Sequence, residues 1–422
     1  MPPLPDPSDV SERDAALAIV RRLRAEGHAA YFAGGCVRDE LLGVDPKDYD
    51  VATDARPDAI TNLFTRTAEV GASFGVVLVR EFGPTVEVAT FRTDGPYSDA
   101  RRPDHVEFAT AEEDAHRRDF TINALFIDPL ADDPAAQIID HVGGVADVNA
   151  RVLRAVGDPS ARLAEDHLRA LRAVRFAAKY GLTIDPGTAD AIREHARELA
   201  GVSIERVGDE VRRMMGHPTR ARAARTLTDL GLDAPIFGER LPDRPLTTLG
   251  NLDAAADAMT ALAAWTHDRI GAPALSASGA AGFGWRAALN LSGDEAREYA
   301  HTLDFAGAVL RDWPELSVAA RKRLASTPRA PEGLCLLRSI DAAAADRYES
   351  DVRALARDGV GLAPAALIDG DALVERGFQP GPGFGDLLDA VYDAQLEGRV
   401  ISADDALAMA RNRAPEHGVL IA

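Results

Sequence analysis

The chain has 422 residues, of which 46% are hydrophobic, and it carries a formal net charge of −20. This length and composition favour a globular protein of two to four domains with well-buried cores. No run of eighteen apolar residues occurs, and the first residues lack both a basic start and an apolar core. We therefore expect neither a transmembrane helix nor a secretory signal, and we predict a cytoplasmic protein.

Charge and cysteine content restrict the ligands that the chain can bind. The negative net charge argues, on average, against a nucleic-acid-binding protein, because such proteins neutralise phosphates with surplus lysine and arginine. The arginines nevertheless cluster in residues 92–118 and 151–175, which predicts a local positive surface. Cys36 and Cys335 are far apart and match no disulfide framework or zinc motif, so any metal ion would be held by oxygen atoms.

The first ninety residues predict short helices alternating with strands. Residues 15–26 have helical spacing and end at Gly27, a residue common just past a helix. A second short helix is predicted for CVRDELLG, a strand for DYDVAT, and a helix with Pro57 in its first turn for DAITNLF. The stretch FGVVLVREFGPTVEVATF predicts two strands joined at Gly83 and Pro84 as a hairpin.

Strand signals fade after about residue 150, and from Asp158 onward alanine-, leucine- and arginine-rich helical patterns dominate. Residues 269–285, rich in glycine, alanine and serine, indicate a loop or linker. The predicted fold class is therefore α+β, with a small mixed-sheet head followed by an all-helical remainder.

Two aspartates one residue apart, Asp48 and Asp50, are the first candidate site. Side chains at i and i+2 of a strand project from one face, so these carboxylates would point into one space and would stay ionised together beside a cation. Hard oxygen ligands of this kind suit Mg²⁺, which also takes ligands from a substrate triphosphate. Glu87 would join them as a third catalytic carboxylate if its strand lies beside theirs, and such a trio would hold two metal ions. A solvated strand edge is the alternative.

The glycine pair Gly34 and Gly35 supplies a complementary feature. Glycines let a ligand approach the backbone, and the free amides of the following helix N-terminus attract an anion such as a triphosphate. Arg38, in the first turn of that helix, could add a charge-assisted contact. The alternative for the glycines is a plain tight turn.

Four motifs in this order resemble the bacterial tRNA nucleotidyltransferase and poly(A) polymerase family, class II of the DNA polymerase beta superfamily, over about residues 28–215. The first motif comprises Gly34, Gly35, Val37, Arg38, Asp39, Leu41, Leu42, Gly43, Asp48 and Asp50. RRDFTINALF at 117–126 resembles the second motif, DHVGGVADV at 140–148 the third, and EDHLRALRAVRFA at 165–177 the fourth. Val148 departs from the more usual leucine of the third motif.

The resemblance implies a role for several residues of these motifs. Asp48 and Asp50 would bind the metal ions, Gly35 and Arg38 the triphosphate, and Arg118 the nucleotide, with a less firm assignment for Asp119. The alternative for the second motif is a helix start with its arginines in solvent. The implied domains are a nucleotidyltransferase head at 1–150, a helical neck reading the base at 151–220, and a helical body and tail binding RNA at 221–422.

Asp166 and Arg169 of the fourth motif predict base selection. If both lie on one helix, three residues apart, a carboxylate acceptor and a guanidinium donor face the same side. Cytosine and adenine offer an amino donor beside a ring-nitrogen acceptor and match this pair, whereas uracil and guanine reverse the pattern. The alternative is a solvated salt bridge. Arg172 and Arg175 continue the series and either contact the nucleotide or only neutralise the cleft.

The remaining segments carry weaker signals. Residues 92–116 predict a mobile loop, implicated in this family in switching between nucleotides, with Arg101 and Arg102 as alternative RNA contacts. Ser203, Glu205 and Arg206 are expected to brace the fold. The glycines from 381 to 385 indicate a turn feeding a helix that either holds an RNA phosphate or only joins two helices. His267 and Asp268 resemble part of a metal phosphohydrolase motif but have no evident companion ligands.

The sequence therefore predicts an enzyme that adds CMP and AMP from CTP and ATP to a tRNA 3′ end, with Mg²⁺ as cofactor. An enzyme adding only the terminal A and a poly(A) polymerase acting on other RNA 3′ ends share the motifs and stay open. A small-molecule nucleotidyltransferase is a second class, against which the long helical region argues. A non-catalytic RNA-binding relative is a third class, disfavoured by the intact aspartates. The oligomeric state is not predicted.

Overall fold

The structure is a computed structural model and describes residues 10–69, 75–95, 105–133, 137–238, 240, 243–276 and 284–421. The chain divides into two compact units. The first comprises residues up to 214 together with 222–241, and the second comprises 215–221 together with residues from 242 onward. The boundaries predicted for head, neck and body stay a prediction.

A mixed sheet of seven strands forms the framework of the first unit within the described residues. Its strand order is β3-β4-β5-β2-β1-β8-β9. The strands are β1 (Ala30–Ala33), β2 (Asp50–Thr53), β3 (Thr67–Glu69), β4 (Val76–Val79), β5 (Val86–Thr90), β8 (Leu125–Ile127) and β9 (Ile138–Asp140). Two smaller pairs join β6 (Arg92–Asp94) to β7 (Val106–Phe108) and β10 (Val152–Leu153) to β11 (Thr183–Ile184).

The pairing of β2 decides which side chains meet at the centre of the sheet. Strand β2 runs antiparallel to β1 and parallel to β5, with Val51 opposite Val88. Strands β4 and β5 form the hairpin that the sequence predicts around Gly83 and Pro84. Val51, Val77 and Val88 are fully buried, so one face of these strands packs into the core while the alternate residues face the other way.

Helices of the first unit follow the predicted signals near the N-terminus. Their bounds are α1 (Glu12–Ala25), α2 (Gly35–Leu42), α3 (Pro57–Leu63), α4 (Ala111–His116), α5 (Gly144–Ala150), α6 (Pro159–Glu165), α7 (Arg169–Tyr180), α8 (Pro186–Glu194), α9 (Ile204–Met215), α10 (Arg220–Asp229) and α11 (Asp233–Phe237). The Ser11 side chain caps α1 by accepting from the Asp14 amide, and Gly43 ends α2 in the left-handed conformation. Pro57 stands in the first turn of α3, where its missing N–H costs no hydrogen bond.

Helices dominate the second unit. The longer ones span Ala258–Ile270, Gly293–Arg311, Val318–Ala325, Ala330–Ile340, Ala342–Ala356, Phe384–Leu396 and Ala403–Arg413, with shorter ones at Thr247–Asn251, Trp285–Ala288 and Gly370–Val374. Trp265 and Trp285 pack with ring centroids 5.1 Å apart. A separate cluster around Leu373, Leu387 and Ala406 forms the core of the C-terminal helices.

The α+β prediction is confirmed: a mixed-sheet unit precedes a largely helical chain. Single 3₁₀ turns span Thr121–Asn123, Ala196–Gly201, Ala272–Ala274 and Trp313–Glu315. Among the described residues no helix combines the length and apolarity needed to cross a membrane.

A tight approach at Gly144 provides a test of packing in the first unit. A β-carbon there would lie 2.3 Å from the Thr121 carbonyl oxygen and 2.9 Å from a methyl carbon of Leu125. Because backbone cannot yield as a flexible side chain does, Gly144→Ala is expected to lower the free energy of unfolding by about 1–3 kcal/mol. Urea unfolding monitored by circular dichroism measures this change.

Gly201→Ala is the matched control, because a β-carbon at Gly201 meets nothing within 4 Å and the backbone there has no positive φ. Its effect is expected to stay within about 0.5 kcal/mol. Equal losses for the two variants would contradict the close approach at Gly144.

Candidate functional site

A cleft of about 580 Å³ in the first unit contains most of the residues singled out in the sequence. It is lined by carboxylates, arginines and small residues. The carboxylates are Asp48, Asp50, Glu87, Asp119 and Asp166, and the arginines are Arg38, Arg92, Arg117, Arg118, Arg169 and Arg172. Gly34, Gly35, Asn123 and Phe176 also line it. Of the predicted site residues, Arg175 is not part of this lining.

Three of the carboxylates come together at the sheet. Asp50 opens β2, and the parallel register of Val51 with Val88 sets Glu87 of β5 beside it. Asp48 lies two residues before the first residue of β2 and is exposed, so the expectation that both aspartates belong to one strand was wrong. The two aspartates nevertheless line the same cleft.

Asp50 has a raised pKa because it is buried beside other carboxylates. Burial, together with the charges of Glu87 and Asp48, raises the pKa of Asp50 to about 7, and the nearby Arg118 opposes this rise. A carboxylate in this setting is stabilised in its charged form by an added cation. The site therefore has the electrostatic character that a divalent ion would relieve.

The carboxylates do not by themselves make a closed metal site. Among the described residues, no group of three histidine, cysteine, aspartate or glutamate side chains is arranged to hold a metal ion. The three predicted carboxylates therefore share one cleft without forming a complete ligand set by themselves. Oxygen ligands for Mg²⁺ are commonly one or two carboxylates supplemented by substrate phosphates and water, which this arrangement fits.

The glycine turn lies directly against one of the arginines. Gly34 has φ of 70° and precedes the first residue of α2, and a β-carbon there would lie 3.0 Å from Nη1 of Arg118. Only glycine accommodates both the backbone conformation and the guanidinium. The first amides of α2 therefore lie next to Arg118 on the wall of the cleft, which makes a favourable place for an anion.

Arg38 is buried and largely occupied by protein partners. Its Nε donates to Asp39 at 2.8 Å, its Nη1 to the Asn123 side-chain oxygen at 2.6 Å, and its Nη2 to the Tyr180 hydroxyl at 2.6 Å. The guanidinium also stands 5.1 Å from the ring centroid of Phe176. Arg38 therefore joins α2 to α7, and its predicted contact with a triphosphate would use only the donor capacity that remains.

A buried aspartate that the sequence analysis did not single out orients the second-motif arginines. Asp114, 1% exposed, accepts from Arg117 Nη2 at 2.7 Å and from Arg118 Nη2 at 2.9 Å. These arginines pull the pKa of Asp114 below its usual value against the opposing effect of burial. Asp114 lies three residues before Arg117 and four before Arg118, a spacing that brings side chains together on a helix and could have indicated these pairs. The segment is rich in charged residues, however, and such a segment also fits a solvent-exposed helix face.

The base-reading pair is arranged differently from the prediction. Asp166 and Arg169 do not share a helix: Asp166 has extended backbone (φ −152°) just after α6, and Arg169 is the first residue of α7. The turn forms because the Asp166 carboxylate accepts from the Leu168 amide at 3.1 Å, in the manner of a helix cap. Both side chains still line the cleft.

Neither residue of this pair binds the other in the structure. Arg169 Nη1 donates to Glu165 at 2.5 Å, and Asp166 accepts from Arg206 Nη2 at 2.7 Å. The alternative of an i,i+3 salt bridge between Asp166 and Arg169 is therefore wrong. The acceptor and the donor are separately held by neighbours at one wall of the cleft.

Arg172 and Arg175 have different surroundings. Arg172 makes two hydrogen bonds to Asp119, at 2.9 and 2.7 Å, and within the cleft this pair holds the pKa of Asp119 at about 2 despite its burial. Arg175 instead pairs with the buried Glu210 of α9 at 2.6 Å. Arg172 therefore lines the cleft, whereas Arg175 does not and instead forms an ion pair with Glu210.

The structure explains His267 and Asp268 as helix contacts and describes only part of the predicted loop at 92–116. Asp268 accepts from the amides of Thr248 and Leu249 at 2.8 and 2.9 Å, and His267 contacts the Thr248 hydroxyl at 2.9 Å. These contacts tie two helices together. The predicted loop is described in part, and Arg101 and Arg102 lie outside the described residues.

A second concavity of about 570 Å³ lies in the same unit, lined by Arg193, Arg197 and Arg240 with a single carboxylate, Asp229. It lacks grouped carboxylates. The cleft at β2 is therefore the candidate site.

Two family models match the chain. Residues 30–154 match the Poly A polymerase head domain, and residues 181–242 match a probable RNA and SrmB-binding site of polymerase A. The first match contains the carboxylates and the glycine turn of the cleft. The cleft at β2 is therefore lined in large part by residues of the segment that matches this head domain.

The chain is also similar in sequence to curated proteins. The chain is 43% identical over 224 residues to the CCA-adding enzyme of Geobacillus stearothermophilus, a match covering 53% of this chain and 54% of the relative. It is 40% identical over 257 residues to the CCA-adding enzyme of Lacticaseibacillus paracasei, covering 58% and 63%. The matches thus span about half to just under two thirds of the relatives' length.

Solved structures extend the likeness along the chain. The Bacillus stearothermophilus CCA-adding enzyme in complex with CTP superimposes with a TM-score of 0.78 at 29% identity, covering 97% of this chain and 100% of that one. The Thermotoga maritima CCA-adding enzyme complexed with tRNA shares the fold, with a TM-score of 0.63 at 18% identity and 96% of each chain covered. The chain is thus similar to CCA-adding enzymes in sequence over about half its length and to a solved CCA-adding enzyme in fold over nearly all of it.

The raised pKa of Asp50 makes stability depend on pH. Because its folded pKa of about 7 exceeds the ordinary 3.8, the folded protein binds more protons, and stability falls as pH rises from about 4 to about 7. Asp50→Asn removes this penalty. It is expected to raise the free energy of unfolding at pH 8 by roughly 1–3 kcal/mol, with little change below pH 4.

Urea unfolding in the presence of a chelator measures this difference at each pH. Asp45→Asn is the control, because Asp45 is exposed in the loop before β2. An Asp50→Asn effect of equal size at pH 4 and pH 8 would show that the carboxylate is not destabilised by its surroundings.

Proposed function

We propose that the protein adds CMP and AMP from CTP and ATP to the 3′ end of tRNA without a nucleic-acid template, building or repairing a CCA end in the cytoplasm. One observation carries this proposal. The carboxylates near β2 and β5 line a single cleft together with an acceptor and a donor, Asp166 and Arg169. A transferase that only moved phosphates would need the first set alone.

The carboxylate side of the cleft would serve the phosphates. Asp48 and Asp50 would hold divalent metal ions, for which we propose Mg²⁺, and when bound these ions stabilise negative charge on the attacking and leaving oxygens. Gly34, Gly35 and Arg118 form the wall against which a triphosphate would lie. In the reaction the terminal 3′-hydroxyl oxygen forms a bond to the α-phosphorus, the bond to pyrophosphate breaks, and the hydroxyl proton is lost. Glu87 is a further carboxylate beside this reaction.

Asp166 and Arg169 would read the base. The Asp166 carboxylate can accept from the amino group of cytosine or adenine while Arg169 donates to the ring nitrogen. Uracil or guanine would leave both protein groups unpaired, at roughly 1–3 kcal/mol each. Arg172, held by Asp119, would contribute positive charge near the nucleotide. Selection by side chains replaces selection by a template strand.

The RNA would be held by the helical region after the head. Residues 181–242 match a probable RNA-binding site, and the relatives named above are CCA-adding enzymes, one of them solved with CTP and another with tRNA. The predicted body and tail at 221–422 would bind the tRNA. Addition of the terminal A alone, or poly(A) synthesis on other RNA 3′ ends, uses the same cleft and is the second candidate.

Incorporation of labelled nucleotides distinguishes these activities. Three tRNAs ending before CCA, after C and after CC are supplied with Mg²⁺ and with CTP and ATP, separately and together. We expect addition of CCA that then stops. Activity on the CC-ended tRNA alone would identify an A-adding enzyme, and long A tails a poly(A) polymerase. No incorporation on any tRNA would contradict the proposal.

Removal of one carboxylate separates chemistry from RNA binding. Asp48→Ala is expected to reduce incorporation by at least about 10²-fold, because charge at the phosphates is no longer balanced. Binding of tRNA, measured by filter retention, is expected to stay within about twofold, since Asp48 is in the head. Asp45→Ala, an exposed aspartate of the same loop, is the control. Parallel loss of incorporation and tRNA binding would overturn the assignment of Asp48.

A further inference from the structure

Helix α9 makes two ion pairs with residues near the cleft, one of them with Asp166, which lines it. Arg206, in its first turn, donates from Nη2 to Oδ2 of Asp166 at 2.7 Å. Glu210, one turn later, accepts from Arg175 of α7 at 2.6 Å. The helix is therefore attached both to the residue that would read the base and to the helix that follows it.

The Asp166 carboxylate is held at both oxygens. Oδ1 accepts from the Leu168 amide at 3.1 Å, which fixes the turn between α6 and α7, and Oδ2 accepts from Arg206. The side chain of Asp166 is 15% exposed and that of Arg206 22%. A carboxylate has about four acceptor positions, so these two bonds fix its plane and leave acceptor capacity for a ligand.

We propose that Arg206 is a positioning residue for base selection: it fixes the orientation of the Asp166 carboxylate and so determines which base the cleft accepts. This inference rests on the proposed function. Arg206 does not line the cleft, so it would act through Asp166 rather than on the nucleotide. The sequence analysis assigned Arg206 only a bracing role.

The two possible roles of Arg206, orienting the Asp166 carboxylate and holding α9 in place, have different consequences. If Arg206 only braced α9, its loss would resemble the loss of the Glu210–Arg175 pair, because both attach the same helix. Without Arg206, however, one oxygen of Asp166 has no fixed donor and the carboxylate can rotate about its side-chain bonds. A rotated carboxylate matches the amino group of cytosine less well and no longer disfavours the carbonyl of uracil as strongly.

The test compares Arg206→Ala and Arg206→Lys with two controls on the same helix. Arg213→Ala removes an arginine whose side chain is 62% exposed and whose Nη1 donates to Glu210 at 3.2 Å, and Glu210→Gln weakens the ion pairs of Glu210 with both Arg213 and Arg175. For each variant, kcat and KM are measured for CTP and UTP on a tRNA ending before CCA, equilibrium binding of CTP and UTP is measured by calorimetry, and stability by urea unfolding.

Arg206→Ala is expected to lower the CTP-over-UTP preference in kcat/KM by about tenfold, chiefly through KM for CTP, and to lower the binding preference in parallel. Arg206→Lys keeps a cationic donor and is expected to restore part of the preference. Glu210→Gln is expected to lower stability while leaving the preference within about twofold, and Arg213→Ala to lower stability less than Glu210→Gln does and to leave the preference within the same range.

An unchanged preference in Arg206→Ala, with a stability loss like that of Glu210→Gln, would overturn the inference and leave Arg206 as a brace. If Arg206→Ala does not fold, Arg206→Gln, which keeps an amide donor, takes its place with the same criterion. A wild-type protein that incorporates no nucleotide but binds CTP over UTP would contradict the proposed function alone. A wild-type protein without that binding preference would contradict both.

Discussion

The parallel pairing of β2 with β5 is the constraint on which the site depends. It sets Asp50 and Glu87 side by side on two central strands, with Asp48 just ahead, and burial together with the neighbouring negative charges raises the pKa of Asp50 to about 7. A chain gains no stability from gathering carboxylates in this way. The valines opposite them, buried on the other face, provide the compensating packing that keeps the strands in register.

Around these carboxylates the chain places arginines that each form an ion pair with a nearby aspartate or glutamate. Asp114 holds Arg117 and Arg118, Asp119 holds Arg172, and Glu165 holds Arg169. Such pairs fix the direction of a guanidinium but spend part of its hydrogen-bonding capacity. The cleft can therefore be locally rich in cations although the whole chain carries a formal charge of −20.

Local sequence patterns correctly predicted helix ends and the hairpin where these depend on the backbone preferences of a few neighbouring residues. Gly43, Pro57 and the Gly83–Pro84 break mark element ends through their own backbone preferences, and the structure has helix ends and a hairpin there. The grouping of Asp48 and Asp50 with Glu87 in one cleft followed from strand alternation plus a guess at strand pairing. The pairing itself is long-range and had to be assumed.

What the sequence did not predict depends on tertiary contacts. The stretch from Glu165 to Tyr180 is helical in composition throughout, yet the Asp166 carboxylate caps the Leu168 amide and divides it. An aspartate's ability to cap was a usable signal that helical spacing concealed. Arg175 was grouped with Arg172 by spacing alone, and its partner Glu210 is 35 residues farther along. Burial of Asp114 likewise comes from packing that no local window contains.

Phe176 has a consequence for how much positive charge the cleft can tolerate. Three guanidinium groups surround its ring, those of Arg38 and Arg172 at 5.1 Å and that of Arg175 at 4.3 Å from the centroid. Each is attracted to the electron-rich ring by about 0.5–2 kcal/mol, which offsets part of the repulsion between them. An aliphatic side chain of similar volume would fill the same space without this attraction. An uncharged residue thus helps to set the cation density that an incoming nucleotide would meet.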